Sequence, residues 1–285
     1  SGLDLTGAGG PGRLALWDGG GVLLGHQEFG GRVVQMDGPL AASLHATHVA
    51  GTLVAAGVNP AARGLAPGAE LQAWDWNDDE AAVAAAAAAG LLVSNHSYGF
   101  AAGWYRDSAG AWYWYGDVTV DPGEDPGFGY YGEDAQAWDQ IADAAPDYLI
   151  VMSAGNDRDD TGPAAGASYS YWDPVAAGWV ASTVPRPPDG GATGFDTLPY
   201  RAVCKNALTI GAVADLPAGW TAPADVVMTE FSGWGPTDDG RIKPDLVANG
   251  VGLTSPVNGS PTAYGSYSGT SMASPGAAGA LYLLA

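Results

Sequence analysis

Short apolar runs alternating with alanine-rich stretches constrain this chain more than any other feature. The runs fall at 13–17, 70–74, 91–94, 148–153, 208–213 and 243–248. They are continuous rather than alternating and mostly rich in Val, Ile and Leu, the pattern of parallel strands covered on both faces. Between them, stretches such as 80–89 and 133–145 have helix-forming compositions. Strand–helix alternation predicts an α/β fold, a doubly wound and mostly parallel sheet with helices on both faces. At 285 residues and 47% hydrophobic the chain can bury one large core, so a single domain over 1–285 is expected. In such sheets ligands bind beyond the carboxyl ends of the strands.

Chemistry is concentrated at those ends. Leu14-Ala15-Leu16-Trp17-Asp18 closes on an acid, and Gly19-Gly20-Gly21 gives the chain a sharp exit. By itself such an Asp is more often a turn former or a helix cap. Two of the four histidines, His26, His45, His48 and His96, stand in His45-Ala46-Thr47-His48-Val49-Ala50-Gly51-Thr52, a helix-like run of small residues. Near the end, Gly269-Thr270-Ser271-Met272-Ala273-Ser274-Pro275 sets a serine before an apolar helix expected at 277–284. A serine there has a glycine that admits a substrate backbone, with unpaired N–H groups and a positive dipole end beside its hydroxyl. Those features suit a nucleophile whose attack creates an oxyanion. A serine hydroxyl needs a base, and the base needs a carboxylate to hold its tautomer. Read alone, the segment could also be a small-residue helix packed tightly on a sheet.

In the order Asp, His, Ser, these segments resemble those of the subtilisin-like serine peptidases. Two further segments resemble the same family: Val93-Ser94-Asn95-His96-Ser97-Tyr98-Gly99, its substrate-pairing strand, and Val151-Met152-Ser153-Ala154-Gly155-Asn156-Asp157, the strand end with its oxyanion asparagine. Phe231-Ser232-Gly233-Trp234-Gly235-Pro236 and Lys243-Pro244-Asp245 also read as family segments. The resemblance runs from about residue 12 to the C-terminus, interrupted by two insertions at about 103–131 and 157–200. It implies a serine endopeptidase acting through an acyl-enzyme, with His45 as base, Asp18 holding it and Ser271 as nucleophile. It further implies an oxyanion hole from Asn156 and the Ser271 N–H, substrate pairing along Ser97, Tyr98 and Gly99, and a pocket walled by Ser153, Ala154 and Gly155. Two other outcomes keep the same scaffold: a peptide ligase or macrocyclase, marked by a lid that shields the acyl-enzyme from water, and a non-catalytic peptide-binding module. Ala46 departs from the family's glycine, and its methyl could tilt the neighbouring imidazole. The resemblance allows structural calcium with unassigned ligands. None is required for chemistry, and the loop 56–64, where relatives often bind calcium, is short.

Composition sets the surroundings. A net charge of −21, with Lys205 and Lys243 the only lysines, argues against nucleic-acid binding. An acidic surface draws basic substrates or simply keeps the chain soluble, and it is the resemblance that implies a polypeptide substrate. Cys204, the single cysteine, forms no internal disulfide and lies before an apolar run, so a buried thiol is expected. No apolar run is long enough for a transmembrane segment. A secreted or extracytoplasmic setting is expected, with signal and pro-segment outside this chain and truncation or trimming after 285; composition leaves the oligomeric state open. His26, His48 and His96 read as structural, and their spacing lacks a zinc pattern. The 103–131 insertion holds nine aromatic residues. They either border the upstream side of the cleft or, as long loops more often require, pack into a satellite core.

Overall fold

The structure is a computed structural model and describes residues 6–8, 10 and 12–285. In chain order its first strands are β1 (Leu14–Asp18), β2 (Val33–Gln35), β3 (Leu71–Asp75) and β4 (Val93–His96). They are followed by β5 (Trp104–Arg106), β6 (Trp112–Trp114), β7 (Leu149–Ser153), β8 (Tyr169–Asp173) and β9 (Gly178–Ser182). The last strands are β10 (Leu208–Val213), β11 (Leu246–Asn249), β12 (Leu253–Pro256) and β13 (Tyr264–Tyr267). The helices are α1 (Leu44–Val54), α2 (Asp79–Ala88), α3 (Glu133–Ala144) and α4 (Thr270–Tyr282).

Seven parallel strands form the central sheet in the order β11-β10-β7-β4-β1-β3-β2. The six strands expected from the apolar runs are present within a few residues of their predicted ends. Because side chains alternate across a strand, β1 feeds two cores. Leu14 and Leu16 enter one with Val49, Leu53, Val93, Ile210 and Tyr282, under α1 and α4. Ala15 and Trp17 enter the other with Val83, Trp138 and Ile150, under α2 and α3. From β1 the chain builds β3 and β2 to one side and β4, β7, β10 and β11 to the other. The order therefore reverses between β1 and β4, the crevice where such sheets bind ligands.

The two small-residue helices owe their places to their composition. Helix α1 is capped by Ser43, whose hydroxyl accepts from the Ala46 N–H at 3.3 Å. A methyl on Gly51 would stand 2.3 Å from Pro256 Cδ, so only glycine lets α1 lie against β12. Helix α4 starts at Thr270, earlier than the expected 277–284, which brings Ser271 into its first turn. Its entry residue Gly269 has φ of +152°, a conformation L side chains avoid.

The insertions build a structure that their sequence did not reveal. Hairpins β5–β6 and β8–β9, one from each insertion, join through parallel pairing of β6 with β8 into a four-stranded sheet. Trp104, Trp114 and Tyr169 form its small buried core, so the first insertion's aromatics take the satellite-core outcome.

Candidate active site

Asp18 ends β1 and His45 opens the first turn of α1, and the two meet across the crevice. His45 Nδ1 lies 2.8 and 2.9 Å from the Asp18 carboxylate oxygens. The Gly19 N–H donates to Asp18 Oδ1 at 2.8 Å, fixing the acid from its own exit turn. Asp18 is 2% exposed, and burial raises its pKa against the opposing pull of His45 and Gly19. Burial alone would lower the pKa of His45, but the hydrogen bond and charge of Asp18 outweigh it, and the net shift is upward. A carboxylate on Nδ1 leaves Nε2 as the free, basic nitrogen. The methyl of Ala46 is buried in the core and leaves the Asp18–His45 contact intact.

Ser271 owes its position to the start of α4. Pro275 lacks the N–H that would bond the Ser271 carbonyl one turn back. The freed carbonyl instead accepts from Ser97 Oγ at 3.0 Å. Ser274 Oγ donates to Asn95 Oδ1 at 2.7 Å, and Asn95 Nδ2 donates to Ser97 Oγ at 3.0 Å. These side-chain bonds tie the turn that carries Ser271 to the end of β4. The Ser271 hydroxyl donates to the Ser97 carbonyl at 3.1 Å rather than to His45, its expected partner. Unliganded sites often hold such contacts loosely.

Asn156 follows β7 and faces the same turn. Its Oδ1 accepts from the Thr270 N–H at 2.8 Å and the Thr270 hydroxyl at 3.0 Å. A backbone N–H can only donate, so this contact fixes the amide orientation and turns Nδ2 outward. Among the described residues neither Asn156 Nδ2 nor the Ser271 N–H has a partner. Two donors are thus free beside one hydroxyl, as an oxyanion hole requires.

A pocket of about 160 Å³ opens at Ser271, lined by Ser97, Tyr98, Gly99, Ser153, Gly155 and Asn156 among others. Ala154 is a correction to the expected wall. It is fully buried, and its methyl joins the core under α2 and α3. Sequence reasoning missed Phe100, Met152, Asp157, Pro199, Arg201 and Ala202, which also line the pocket. Asp157 was legible only as the neighbour of Asn156; burial, reinforced by Asp160, pushes its pKa up to about 7. A second pocket of about 370 Å³ lies across Tyr98, between Trp76 and Phe100. Neither pocket is lined by residues of the four-stranded sheet.

The other histidines are structural. His26 Nε2 bonds the Ala263 carbonyl at 2.9 Å, and His48 Nε2 bonds that of Leu253 at 3.0 Å. Burial lowers the pKa of His48 to about 4, so it stays neutral. His96 is 2% exposed, stacked on Trp17 and edge-on to Trp138. Among the described residues no group of three or more His, Cys, Asp or Glu could hold a metal ion. The loop where calcium was considered is closed otherwise. The N–H groups of Gly57, Val58 and Asn59 all point at the buried Glu28 carboxylate. Converging donors cradle an anion, here the protein's own carboxylate. Cys204 is buried, and burial raises its thiol pKa to about 12.

A sequence profile of the subtilase family matches residues 34–285. The chain belongs to the subtilase family. Among solved structures, this subtilase matches the prenylagaramide maturation protease PagA at 18% identity and a TM-score of 0.59, covering 97% of this chain and 76% of that one. A cold-adapted subtilisin-like serine proteinase matches at 21% identity and a TM-score of 0.54, covering 99% and 78%. The PatG macrocyclase, solved with a peptide, matches at 16% identity and a TM-score of 0.58, covering 97% and 76%. Identities this low carry the fold and nothing finer. No curated protein gives a significant match. No helix among the described residues is long and apolar enough to cross a membrane.

Proposed function

We propose that this subtilase is a serine endopeptidase that hydrolyses peptide bonds through an acyl-enzyme. The observation that supports the reading is that the Asp18–His45 pair at the end of β1 and the Ser271 hydroxyl, bonded to Ser97 just past β4, lie at adjacent strand ends, with unpaired donors on Asn156 and Ser271. His45 Nε2 takes the Ser271 proton as Oγ attacks the scissile carbonyl, and Asp18 stabilises the imidazolium that forms. Asn156 Nδ2 and the Ser271 N–H receive the oxyanion. His45 then gives its proton to the leaving amine, and a water activated by the same imidazole hydrolyses the ester. Among the described residues the backbone groups of Tyr98 and Gly99 have no partner, so a substrate can add there as a strand. The Ser153–Gly155 side of the pocket would face the residue before the cut.

A ligase or macrocyclase outcome needs a lid. The four-stranded sheet supplies none of the pocket lining, and the His45 side chain is 39% exposed, so water reaches the acyl-enzyme. Hydrolysis is therefore the favoured outcome. An extracytoplasmic setting belongs to this reading, since subtilases often act outside the cell. The test is labelling by a fluorophosphonate, with product mass spectrometry on a peptide library. Labelling lost in Ser271→Ala, with linear hydrolysed products from the native chain, supports the proposal. Cyclised products, or no labelling of a folded protein, would refute it.

A further inference from the structure

Behind the pocket wall runs a chain of buried hydrogen bonds that the catalytic reading leaves unused. It links Tyr148, Ser94, His96, Tyr98, Asp79 and Arg201. Tyr148 OH lies 2.5 Å from Ser94 Oγ, which lies 2.7 Å from His96 Nε2. His96 Nδ1 lies 3.1 Å from Tyr98 OH, which donates to Asp79 Oδ2 at 2.7 Å. The same Asp79 oxygen takes Arg201 Nη1 at 2.5 Å, while Arg201 Nε bonds Asp134.

One end of this chain fixes the direction of every proton in it. Asp79 Oδ2 is a carboxylate oxygen that already accepts from a guanidinium, so Tyr98 must donate to it. The Tyr98 oxygen is then left to accept, and His96 carries its proton on Nδ1. Nε2 of a neutral imidazole accepts, so Ser94 donates to it and Tyr148 donates to Ser94. Burial, with the charge of Arg201 adding to it, holds His96 far below its ordinary pKa, and burial beside Asp79 holds Tyr98 protonated. The arrangement therefore has one donor order at working pH and no rotational alternative.

Tyr98 and Arg201 are the members of this chain that line both the 160 Å³ pocket at Ser271 and the second pocket of 370 Å³, and Asp79 lines the second. Tyr98 shares the boundary between them with Gly99, Phe100 and Arg201, and its hydroxyl is held by His96 and Asp79. We infer that His96 and the Arg201-held Asp79 position the Tyr98 ring from its hydroxyl end, and so set jointly the selectivity of both pockets. This rests on the peptidase reading, because it assumes that substrate occupies the two pockets.

Tyr98→Phe keeps the ring and removes only the anchor. Its predicted effect is a KM raised about five- to tenfold for the preferred peptide with little change in kcat, less than the full loss of a charge-assisted hydrogen bond because only the part that orders the ring reaches substrate binding. Cleavage profiling should show preference relaxed both at the residue before the cut and further upstream. His96→Leu should do the same, and the double variant should be no worse than either alone, because both release one ring. Ser94→Ala, at the far end, should keep most of the selectivity. Additive effects in the double variant, or an unchanged profile with only a lowered Tm, would overturn the inference. The measurement is made on enzyme that a fluorophosphonate labels. Failure of labelling sinks the peptidase reading, whereas an unchanged profile in labelled enzyme sinks this one.

Discussion

Glu28→Gln is the most incisive test of how the structure holds itself together at the end of α1 remote from His45. Glu28 is 0% exposed and accepts four hydrogen bonds. Oε2 takes the N–H groups of Gly57 at 2.7 Å and Val58 at 2.9 Å. Oε1 takes the Asn59 N–H at 2.8 Å and the Tyr264 hydroxyl at 2.7 Å. Glutamine is nearly isosteric but has one acceptor oxygen. Its best placement keeps the oxygen on Gly57 and Val58 and aims the amide nitrogen at the Asn59 N–H. The Tyr264 hydroxyl can turn to accept, whereas a backbone N–H cannot. The change strands one buried donor, at about 1–3 kcal/mol, and turns the other bonds from charge-assisted to neutral. Relief of the buried carboxylate offsets part of this. The sum is about 3 kcal/mol, a large share of a typical stability, or roughly 6–12 °C in Tm for a chain of this size.

Thermal unfolding should be followed by circular dichroism in a Ser271→Ala background, which removes self-digestion, with hydrogen exchange read on residues 57–59. A Tm within about 1 °C of the parent, or equal protection of the three amides, would refute the reasoning. The pH arm has a definite sign. Burial pushes the Glu28 pKa up, but the bonds from Asn59, Tyr264, Val58 and Gly57 outweigh it, leaving it below the ordinary 4.5. A carboxyl with a depressed folded pKa adds stability that is fully present above the unfolded value and lost as pH falls through the folded one. The gap between parent and Glu28→Gln should therefore hold at neutral pH and shrink below about pH 4.5.

Three further outcomes are expected. Asn156→Ala should lower kcat by roughly a hundred- to a thousandfold, the loss that removing one such donor causes in subtilisin, with KM little changed; a defect confined to KM would make Asn156 a substrate contact instead. Activity should rise with pH as His45 loses its proton, with the midpoint above its ordinary 6.5 because Asp18 raises it; a flat kcat/KM profile between about pH 5 and 9 would exclude a histidine base. Trp104→Ala should cost about 3–5 kcal/mol of local stability, because this ring is 1% exposed in the core of the four-stranded sheet, yet leave the cleavage profile unchanged; an altered profile would place that sheet in the substrate path.

What could be read from residues alone was whatever chemistry forces into a short segment. An acid at a strand end, a histidine opening a small-residue helix and a serine before a helix each need local composition; Asp18 does bond His45 at the end of β1, and Ser271 does bond Ser97 just past the neighbouring β4. The sheet was legible for a similar reason, since strands covered on both faces need continuous apolar runs. Three-residue β2 is too short to leave such a signal, and the insertion strands pair across more than fifty residues of intervening chain. Nothing local announces that Glu28 closes the turn at 57–59, or that Arg201 reaches back to Asp79 behind Tyr98. Pro275 shows where the two kinds of knowledge meet. Its missing N–H is a property of the residue, and from it follows an unpaired carbonyl on Ser271. Only the fold supplies the partner, Ser97 Oγ, and with it a reason why the serine best placed to attack is also tied directly to the strand expected to bind the peptide.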